Sequence, residues 1–523
     1  MTTPADDLIF ALTRLHDLPG RTSGALDAAG VAAIIEQCAE FCDEVLAPNR
    51  IPADREGARL ENGRVRCPEG HVRAYRAWVD GGWQSLTAPE AFGGQGLPFG
   101  LWAAVVELVT AADMAFGLCP LLTAGAIDAI EKHASPAQQA EWLPAMANGE
   151  WTGTMCLTEP QAGSDLSTVR TRAEPLGDGR YALHGEKIYI TFGDHDLTEN
   201  NLHLVLARLP DAPEGSRGIS LFGALRVKAD GTANALRCGG LEKKLGIHAS
   251  PTCVMLFEGA EAELVGAPHR GLPAMFAMMN NARLCVGIQG VSQGALALKL
   301  AETYAGGREQ GGRSIARHPD VARMLAEMRS ITLAMRLLAI EACMAEPARL
   351  ALLTPIVKAW STDRGVEVAN LGIQVHGGMG FVEDAGAAQV LRDVRITPIY
   401  EGTNGIQALD LVGRKLRGDG GAAMIALLAE VAAHPLLTSV ARDLSEATAA
   451  ILNMDTDTVA AGATAYLDAC GWVLGGWMLA RAAALELNYA PLAEFYLRRL
   501  LPRAGASLAQ LDEAPSLLAL LGA

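Results

Sequence analysis

The chain has 523 residues, half of them hydrophobic and 20% charged, so it has room for about three or four compact domains and is not a mainly disordered protein. Its net charge of −16 means that the surface as a whole repels phosphate backbones, which excludes nucleic acid as a main partner. An anionic small molecule can still bind where a few basic residues or helix N-termini concentrate positive charge.

The start of the chain, residues 1–18, lacks the basic segment and long apolar run of a secretory signal. No later stretch has the roughly 18 uninterrupted apolar residues of a membrane-spanning helix. The ten cysteines are scattered without a C-x-x-C pair, which is typical of reduced thiols. Cys38 and Cys42 lie one helical turn apart, a spacing that can suit a metal but is more often part of a buried stripe. We therefore predict a cytoplasmic protein without a membrane anchor.

The spacing of apolar residues changes twice along the chain. It is helical over 27–149, alternates in short stretches over 151–265, and is helical again after Pro273. A glycine-rich break at 417–422 precedes further helical sequence. These patterns predict a mainly α protein with a central β domain, the β domain being a small sheet or barrel and the later helices a bundle. We predict four domains: a helical N-terminal domain (1–150), a middle β domain (151–270), a C-terminal helical bundle (271–416) and an additional helical domain (423–523).

Motifs of other enzyme classes are absent or lie in the wrong context. The sequence has no G-x-G-x-x-G, P-loop or H-E-x-x-H motif. His195 and Asp196 could ligate a metal, but no third ligand stands at a telling spacing, so we predict no metal site. The stretch from Gly290 to Gly294 matches the G-x-S-x-G nucleophile elbow of α/β-hydrolases around Ser292. That motif needs a preceding strand and a tight turn, and here it lies in a helical stripe, so we interpret its small residues as a close helix contact.

The first segment with a chemical signal is MCLTEPQAGSDLSTV at 155–169, an apolar stretch followed by turn-forming residues. Gly163 lets a ligand approach the backbone, and Thr158, Ser164 and exposed amides can donate hydrogen bonds to phosphate or ring oxygens. The same residues would also suit a hydrogen-bonded loop between two domains. The segment alone does not separate these interpretations.

The second segment, GEKIYITFG at 185–193, reads as a strand. In a regular strand Lys187, Tyr189 and Thr191 project to one face and the apolar residues that alternate with them project to the other. The first face offers an aromatic ring and a hydroxyl to a planar cofactor. A surface strand whose lysine covers apolar neighbours would show the same pattern.

The third segment, residues 368–416, contains a Gly377-Gly378 pair and the sequence EGTNG that begins at Glu401. The glycine pair permits close approach of a large ligand to the backbone. An amphipathic helix is expected to begin near Ile406 with Thr403 or Asn404 as its N-cap. Glu401 is then a carboxylate on a short turn between two helices, although an acidic residue is also favoured before a helix N-terminus for electrostatic reasons alone.

Four motifs in this order, LTEPQAGSD, KIYIT, QVHGGMGF and IYEGTNGIQ, closely resemble those of the acyl-CoA dehydrogenase family. The resemblance extends from about Asp27 to Leu416. It implies a helical N-terminal domain, a β-barrel middle domain and a helical bundle, and it implies an FAD cofactor and an acyl-CoA substrate.

The resemblance also implies which residues contact FAD, including some that reach the FAD of a neighbouring subunit. Its cofactor-binding residues are Leu157, Thr158, Gly163, Ser164, Tyr189, Thr191, Arg308, Gln310, Gln374, Gly377, Gly378, Thr403 and Asn404. Its substrate-binding residues are Ser164, Asn280, Arg283, Tyr400 and Gly402. The chain departs from the family pattern in that Tyr189 replaces a tryptophan, Asn280 an aspartate and Met155 an aromatic residue, and the Arg308–Gln310 stretch lacks a Thr-Phe pair.

The activity implied by the resemblance is the formation of a trans α,β double bond in an acyl-CoA thioester. Glu401 removes the α proton while a hydride leaves the β carbon for flavin N5. The resemblance also implies that electrons pass to an electron-transfer flavoprotein and that the enzyme is a homodimer or homotetramer. Two alternatives stay open: an acyl-CoA oxidase, which has the same carboxylate and flavin, and a non-dehydrogenating flavoprotein of the same superfamily, against which the acidic composition argues.

Further stretches, among them RCGGLEKKLGIHASPTCVM and the helical region after residue 420, resemble the branch of longer bacterial enzymes that includes the 3-methylmercaptopropionyl-CoA dehydrogenases. This implies a short acyl chain, with 3-(methylthio)propanoyl-CoA as one candidate. The chain is shorter than that branch between Gln310 and His318 and around Glu346.

Overall fold

A computed structural model describes residues 2–22 and 26–520, apart from the side chain of Ala277. Residues 1, 23–25 and 521–523, which belong to the predicted first and last domains, lie outside this description. Along the chain, the main group of strands is preceded and followed by helices, as the spacing of apolar residues predicts.

The α-helices are α1 (Pro4–Phe10), α2 (Leu18–Arg21), α3 (Ala28–Phe41), α4 (Arg50–Glu56), α5 (Glu69–Asp80), α6 (Phe99–Ala112), α7 (Met114–His133), α8 (Pro136–Ala147), α9 (Gly271–Gly307), α10 (Pro319–Met344), α11 (Pro347–His376), α12 (Gly378–Phe381), α13 (Ala387–Val394), α14 (Asn404–Asp410), α15 (Leu416–Asp419), α16 (Ala422–Ala432), α17 (Thr438–Asn453), α18 (Thr456–Leu485), α19 (Ala490–Phe495), α20 (Pro502–Asp512) and α21 (Ala514–Leu520). The strands are β1 (Arg59–Glu61), β2 (Arg64–Arg66), β3 (Trp151–Cys156), β4 (Arg172–Gly177), β5 (Arg180–Thr191), β6 (Asn200–Arg208), β7 (Ile219–Leu225), β8 (Leu236–Leu241), β9 (Thr252–Val265), β10 (Glu309–Gln310) and β11 (Arg313–Ser314).

The chain separates into two compact units, each made of more than one stretch of sequence. The first unit consists of Met1–Glu40, Phe99–Ala111 and Arg283–Ala523, and the second of Phe41–Pro98 and Ala112–Ala282. Helix α6 thus belongs with the late helices rather than with its sequence neighbour α7. The four predicted domains stay a prediction, because compactness groups these segments differently.

The second unit is built around a barrel. Its strands pair in the order β3-β6-β4-β5-β9-β7, and a further pairing of β6 with β7 closes the path, while β8 pairs with β9. Alternate residues of these strands fill the interior, for example Val205, Phe222 and Phe257. The middle β domain is therefore confirmed as a barrel.

In the first unit, α9 and α11 cross very closely. A Cβ atom added to Gly290 would lie 2.4 Å from the carbonyl oxygen of Ser361, and one added to Gly287 would lie 2.7 Å from Val357. Ser292, also on α9, is buried and donates its hydroxyl to the Ile288 carbonyl at 2.7 Å. The G-x-S-x-G match is therefore a helix contact, as interpreted from the sequence, and not a nucleophile elbow.

The C-terminal helices pack on the same helix α11 from another side. Trp360 of α11 is fully buried, and a Cβ added to Gly471 of α18 would lie 2.1 Å from its ring. Gly475, one turn later, would place a Cβ 2.9 Å from the same ring. These two glycines allow the indole to lie flat against α18.

In the part of the chain that the structure describes, two helices, α7 and α9, are long and apolar enough to cross a membrane. In each, 78% of the most apolar window is buried inside the protein. Such burial is typical of core helices, which need apolar residues on every side.

Candidate active site

Glu401 lies on the turn between α13 and α14, in the first unit. The turn is closed by a hydrogen bond from the Asn404 amide to the Pro398 carbonyl at 3.0 Å. Glu401 has φ 54° and Gly402 φ 85°. A glutamate in this left-handed region carries a cost on the order of 1–3 kcal/mol, so the surrounding contacts must hold the turn in place.

Three buried side chains bind the carbonyl groups of this turn. Arg283 Nε and Gln407 Nε2 each donate to the Glu401 carbonyl at 3.4 Å. Lys358 Nζ donates to the Gly402 carbonyl at 2.7 Å. All three side chains are buried. The strained backbone is thus supported from α9, α11 and α14.

The Glu401 carboxyl group is partly buried beside two cations. Burial raises its pKa above the ordinary carboxyl value, and the charges of Arg283 and Lys358 act in the opposite direction. The net result is a raised pKa, and therefore a carboxylate of increased basicity. A carboxylate of this kind can accept a proton from carbon if the carbanion that develops is stabilised.

Tyr400, next to Glu401, faces the interior of the bundle. Its hydroxyl donates to Gln289 Oε1 on α9, and burial raises the pKa of the phenol. The phenol therefore stays neutral, and its hydrogen bond to Gln289 fixes Tyr400 beside Glu401.

The two residues after Gly402 close the turn onto α14. Thr403 is the N-cap, and its hydroxyl accepts from the Ile406 amide at 3.3 Å, as expected for one of the two predicted cap residues. Asn404 turns inward and donates to Ala359 O at 3.1 Å and to Asp363 Oδ1 at 2.8 Å. Its side-chain amide thus makes hydrogen bonds within the bundle, and its contact with FAD stays a prediction.

In the second unit, the segment after β3 is folded around a buried carboxylate. Glu159 accepts hydrogen bonds from the Thr171 amide at 3.0 Å and its hydroxyl at 2.6 Å, and from the Arg170 amide at 2.7 Å. Lys187 of β5 is fully buried, and its ammonium donates to Glu159 at 2.8 Å and to the Leu157 carbonyl at 2.9 Å. This ion pair fixes the backbone at Leu157.

Burial alone would raise the pKa of Glu159. The charge of Lys187 and the hydrogen bonds from Lys187, Thr171 and Arg170 outweigh that effect and lower the pKa to about 2. Glu159 is therefore an anion at any physiological pH and accepts the hydrogen bonds of its loop in that form.

The predicted arrangement of strand β5 is wrong for Lys187. The pairing of β5 with β9 shifts register between Lys187 and Ile190, and Tyr189 within this bulge has φ 59°. The bulge interrupts the alternation of the two faces, so Lys187 points into the interior while Tyr189 is 61% exposed. Thr191 remains partly exposed between the buried Ile190 and Phe192, as predicted.

The other predicted residues of the second unit lie at its surface. Gly163 and Ser164 are exposed on the loop after β3, and a Cβ added to Gly163 would meet no atom within 4 Å. Thr158 is partly exposed, and its carbonyl accepts from the Ile188 amide at 2.9 Å. Asn280 is exposed on α9. An open loop carrying hydroxyl and amide groups beside an uncovered aromatic ring fits a flat cofactor with phosphates.

Two further groups of predicted residues are exposed in the first unit. Arg308 and Gln310 lie at a two-stranded hairpin of β10 and β11, whose turn is Gly311-Gly312 with φ 59° and 76°. Two consecutive residues with positive φ form the tight turn that suits a hairpin, which explains how the short stretch before His318 closes. Gln374, Gly377 and Gly378 lie at the junction of α11 and α12, where Cβ atoms on the glycines would meet open space.

The candidate metal pair is used in local structure. His195 is buried with Nε2 2.8 Å from the Thr152 hydroxyl, and Asp196 accepts from the Cys67 amide at 2.9 Å. Within residues 2–22 and 26–520, no group of three His, Cys, Asp or Glu side chains is placed to hold a metal. The ten cysteines are unpaired in disulfides.

Two features of the site were not predicted from the sequence: the Lys358 contact with the turn and the ion pair of Glu159 with Lys187. Lys358 stands in the otherwise apolar stretch TPIVKAW, and a single cation in a run of core residues is a usable signal for a buried, partnered lysine. Glu159 lies within the motif LTEPQAGSD, but its partner Lys187 is 28 residues away, and only the folded structure shows that the two are in contact.

Comparison with known proteins agrees with this geometry. Models of the N-terminal, middle and C-terminal domains of acyl-CoA dehydrogenase match residues 31–150, 154–260 and 269–416, and an acetyl-CoA dehydrogenase C-terminal-like model matches 422–520. The 3-methylmercaptopropionyl-CoA dehydrogenase of Ruegeria pomeroyi is 45% identical over 94% of this chain and 93% of its own. This chain belongs to the acyl-CoA dehydrogenase family.

Two further known proteins are similar to the chain. A butyryl-CoA dehydrogenase of Syntrophomonas wolfei is 32% identical over 75% of this chain and 71% of its own. The solved structure of Caenorhabditis elegans ACDH-11 has the same fold, with a TM-score of 0.78 at 22% identity over 95% of this chain and 91% of its own. Like other acyl-CoA dehydrogenases, this protein is an FAD-dependent oxidoreductase that forms an α,β double bond in an acyl-CoA.

Proposed function

We propose that Glu401 is the base of this dehydrogenase and that its preferred substrate is a short acyl-CoA, with 3-(methylthio)propanoyl-CoA the first compound to test. The observation that carries the first part is the raised basicity of Glu401 on a strained turn whose carbonyls are held by Arg283, Lys358 and Gln407. The second part rests on the identity to the enzyme of R. pomeroyi.

The role of the base follows from acidity. The α C–H of a thioester is a far weaker acid than a carboxyl group, so the carboxylate must be held close, shielded from water and basic. Arg283 and Gln407 fix the backbone of Glu401, and Tyr400 is fixed by Gln289. When bound, FAD supplies the acceptor for the β hydride.

We assign the cofactor to the segments that the family motifs mark. In the second unit these are the loop containing Leu157, Thr158, Gly163 and Ser164 and the strand with Tyr189 and Thr191. In the first unit they are the exposed groups at Arg308 and Gln310 and at Gln374, Gly377 and Gly378, together with Thr403 and Asn404. The exposure of most of these residues and the open space at the three glycines support the assignment.

The decisive experiment is Glu401→Gln, which keeps the size of the side chain and the backbone amide. We expect a folded, fully flavinated protein that binds acyl-CoA but whose flavin reduction, followed by anaerobic stopped flow, is slower by about 10²–10⁴-fold or more. The matched control is Glu446→Gln, a carboxylate that is exposed on α17. Reduction of the Glu401 variant within a few-fold of wild type would remove Glu401 from the mechanism.

Substrate and acceptor are tested on the wild-type enzyme. kcat/KM should be highest for acyl chains of about the length of 3-(methylthio)propanoyl and butanoyl thioesters, and an optimum at palmitoyl length would contradict the short-chain proposal. Reoxidation should be faster with an electron-transfer flavoprotein than with air. Hydrogen peroxide formed in step with substrate would identify an oxidase, and a flavin that no acyl-CoA reduces would identify a non-dehydrogenating flavoprotein.

We further propose a cytoplasmic homodimer or homotetramer. Phe381, beside Gly377 and Gly378, is 86% exposed, and Met379 and Val382 are 47% and 45% exposed. An exposed apolar patch next to proposed cofactor residues supports an interface there. Light scattering of the wild-type protein and of Phe381→Ser tests this, since the variant should lose subunits and FAD together.

A further inference from the structure

Lys358 is a charged residue in a place that disfavours charge. It lies in the middle of α11, is fully buried, and has Ile356, Val357, Ala359 and Trp360 as sequence neighbours that are themselves buried. Burial of an ammonium ion costs several kcal/mol unless hydrogen bonds and opposite charges compensate. The hydrogen-bond partners of Lys358 therefore indicate its role.

Those partners belong to the Glu401 turn. The ammonium donates to the Gly402 carbonyl at 2.7 Å and to Asn404 Oδ1 at 3.0 Å. These are the residues immediately after the base and at the first position of α14. One cation thus connects both ends of the segment that sets the direction of Glu401.

Two further residues of α11 also bind the start of α14. The Thr362 hydroxyl lies 3.2 Å from Asn404 Oδ1, and Asp363 accepts from Asn404 Nδ2 at 2.8 Å. One residue before Lys358, Val357 lies against Gly287 of α9, the helix that also carries Arg283. The close crossing of the two helices fixes Lys358 relative to Arg283, the second cation beneath the turn.

The charge of Lys358 acts on Glu401 as well as on the backbone. The charged groups that face Lys358 are Glu401 on the turn, Asp363 on α11 and Arg283 on α9. Burial, together with the charge of Arg283, lowers the pKa of Lys358 to about 7, while Glu401 and Asp363 favour its charged form. Conversely, Lys358 lowers the pKa of Glu401 against the effect of burial.

We propose that Lys358 is a positioning residue for the base: its ammonium holds the Gly402 carbonyl and the start of α14, and it places a positive charge beside the Glu401 carboxylate. This inference rests on the proposed role of Glu401. Lys358 does not touch the substrate; it acts through the turn and through its charge.

The test compares Lys358→Met, which removes the charge and the donors at similar length, with Lys358→Gln, which keeps a donor. The control is Thr354→Val, a buried position one turn earlier on the same helix. Flavin content, acyl-CoA affinity and the rate of anaerobic flavin reduction between pH 5 and 10 are measured for each protein, at roughly half-unit steps.

For a neutral variant that retains FAD, we expect reduction near neutral pH to fall by roughly 10²-fold, as a small displacement of a reacting group can cause. The pH at which reduction reaches half of its maximum should rise by about one unit or more, because the cation that lowers the pKa of Glu401 is gone. Thr354→Val should behave as wild type. In a Glu401→Gln background, Lys358→Met should add little, since both changes act on the same step.

Three outcomes overturn the inference. The first is a folded neutral variant, of either kind, with the wild-type reduction rate and pH profile. The second is a reduction rate that falls equally at every pH without a shift of the midpoint, and the third is failure of both neutral variants to fold with FAD. Each would assign Lys358 a purely structural role. Failure of the proposed function is recognised separately, because Glu401→Gln alone would then stay active.

Discussion

Lys187 and Lys358 play parallel parts in the two units. Each is fully buried, and each donates to a backbone carbonyl, that of Leu157 or of Gly402, in a segment that also carries a carboxylate. A buried cation binds carbonyl oxygens strongly because water does not compete. Both loops that carry the proposed chemistry are therefore fixed by a charge placed behind them, on a strand in one unit and on a helix in the other.

The first prediction concerns the ion pair in the second unit. Glu159→Gln leaves the Lys187 ammonium buried without its counter-charge, which commonly costs about 3–5 kcal/mol. We expect a lower Tm and a loop that no longer retains FAD through gel filtration. Glu174→Gln, an exposed carboxylate on β4, should change neither.

The same pair predicts how stability depends on pH. The folded-state pKa of Glu159 is about 2, below its ordinary value of 4.5, so its contribution is complete above the ordinary value and is lost as pH falls toward 2. The difference in unfolding free energy between wild type and Glu159→Gln should therefore shrink in acid. A difference that stays constant from pH 7 to about 3 would contradict the lowered pKa.

A second prediction at the residue scale concerns the pH profile of catalysis. Burial raises the pKa of Glu401 above that of an ordinary carboxyl group, and only the ionised form accepts a proton. The rate of flavin reduction should therefore rise with pH and level off above a midpoint that lies higher than the usual carboxyl range. Stopped-flow reduction in buffers of constant ionic strength measures the midpoint, and a rate that falls with rising pH from 5 to 7 would contradict a base.

At the scale of elements, the crossing of α9 and α11 controls the position of both cations under the turn. A methyl group at Gly290 would lie 2.4 Å from the Ser361 carbonyl, so Gly290→Ala must push the helices apart. We expect a lower Tm and a slower reductive half-reaction. Gly306→Ala on the same helix has no atom within 4 Å of the added methyl group and should leave Tm unchanged or raise it slightly.

Periodicity predicted the elements better than it predicted their contacts. The change from helical to alternating spacing near Trp151 and back near Pro273 agrees with β3 and α9. The bulge at Tyr189 was missed because alternation assumes a regular strand. Glu401 was recognised through family motifs, whereas Lys358 was missed because its contact with Gly402 spans 44 residues and depends on how α11 packs.

At the scale of the whole chain, one buried cluster joins distant segments of the first unit. Arg336 of α10 donates to Glu107 of α6 at 2.7 Å and to Asp7 of α1 at 2.9 Å, and Tyr489 donates to Asp7 at 3.0 Å. The beginning, middle and end of the sequence meet there. This explains why compactness places α1 and α6 with the late helices.

That cluster gives a prediction for global stability. Arg336→Met leaves two carboxylates buried without their shared cation, a loss on the order of 3–5 kcal/mol. The urea midpoint should fall, and activity at low temperature should persist in the fraction that stays folded. Arg442→Met, at an exposed ion pair on α17, is the control, and an unchanged midpoint for Arg336→Met would show that the carboxylates find other partners.

The stacking of Trp360 on α18 has a consequence for protein engineering. Trp360 stands two residues from Lys358, and Gly471 and Gly475 leave just enough room for its ring. A designer who transplants only residues 271–416 into another scaffold would expose this indole to water and remove packing from the helix that supports the Glu401 turn. The transplant must either include α18 or replace Trp360 by a small residue, and comparing the two designs would show how far the C-terminal helices stabilise the Glu401 turn.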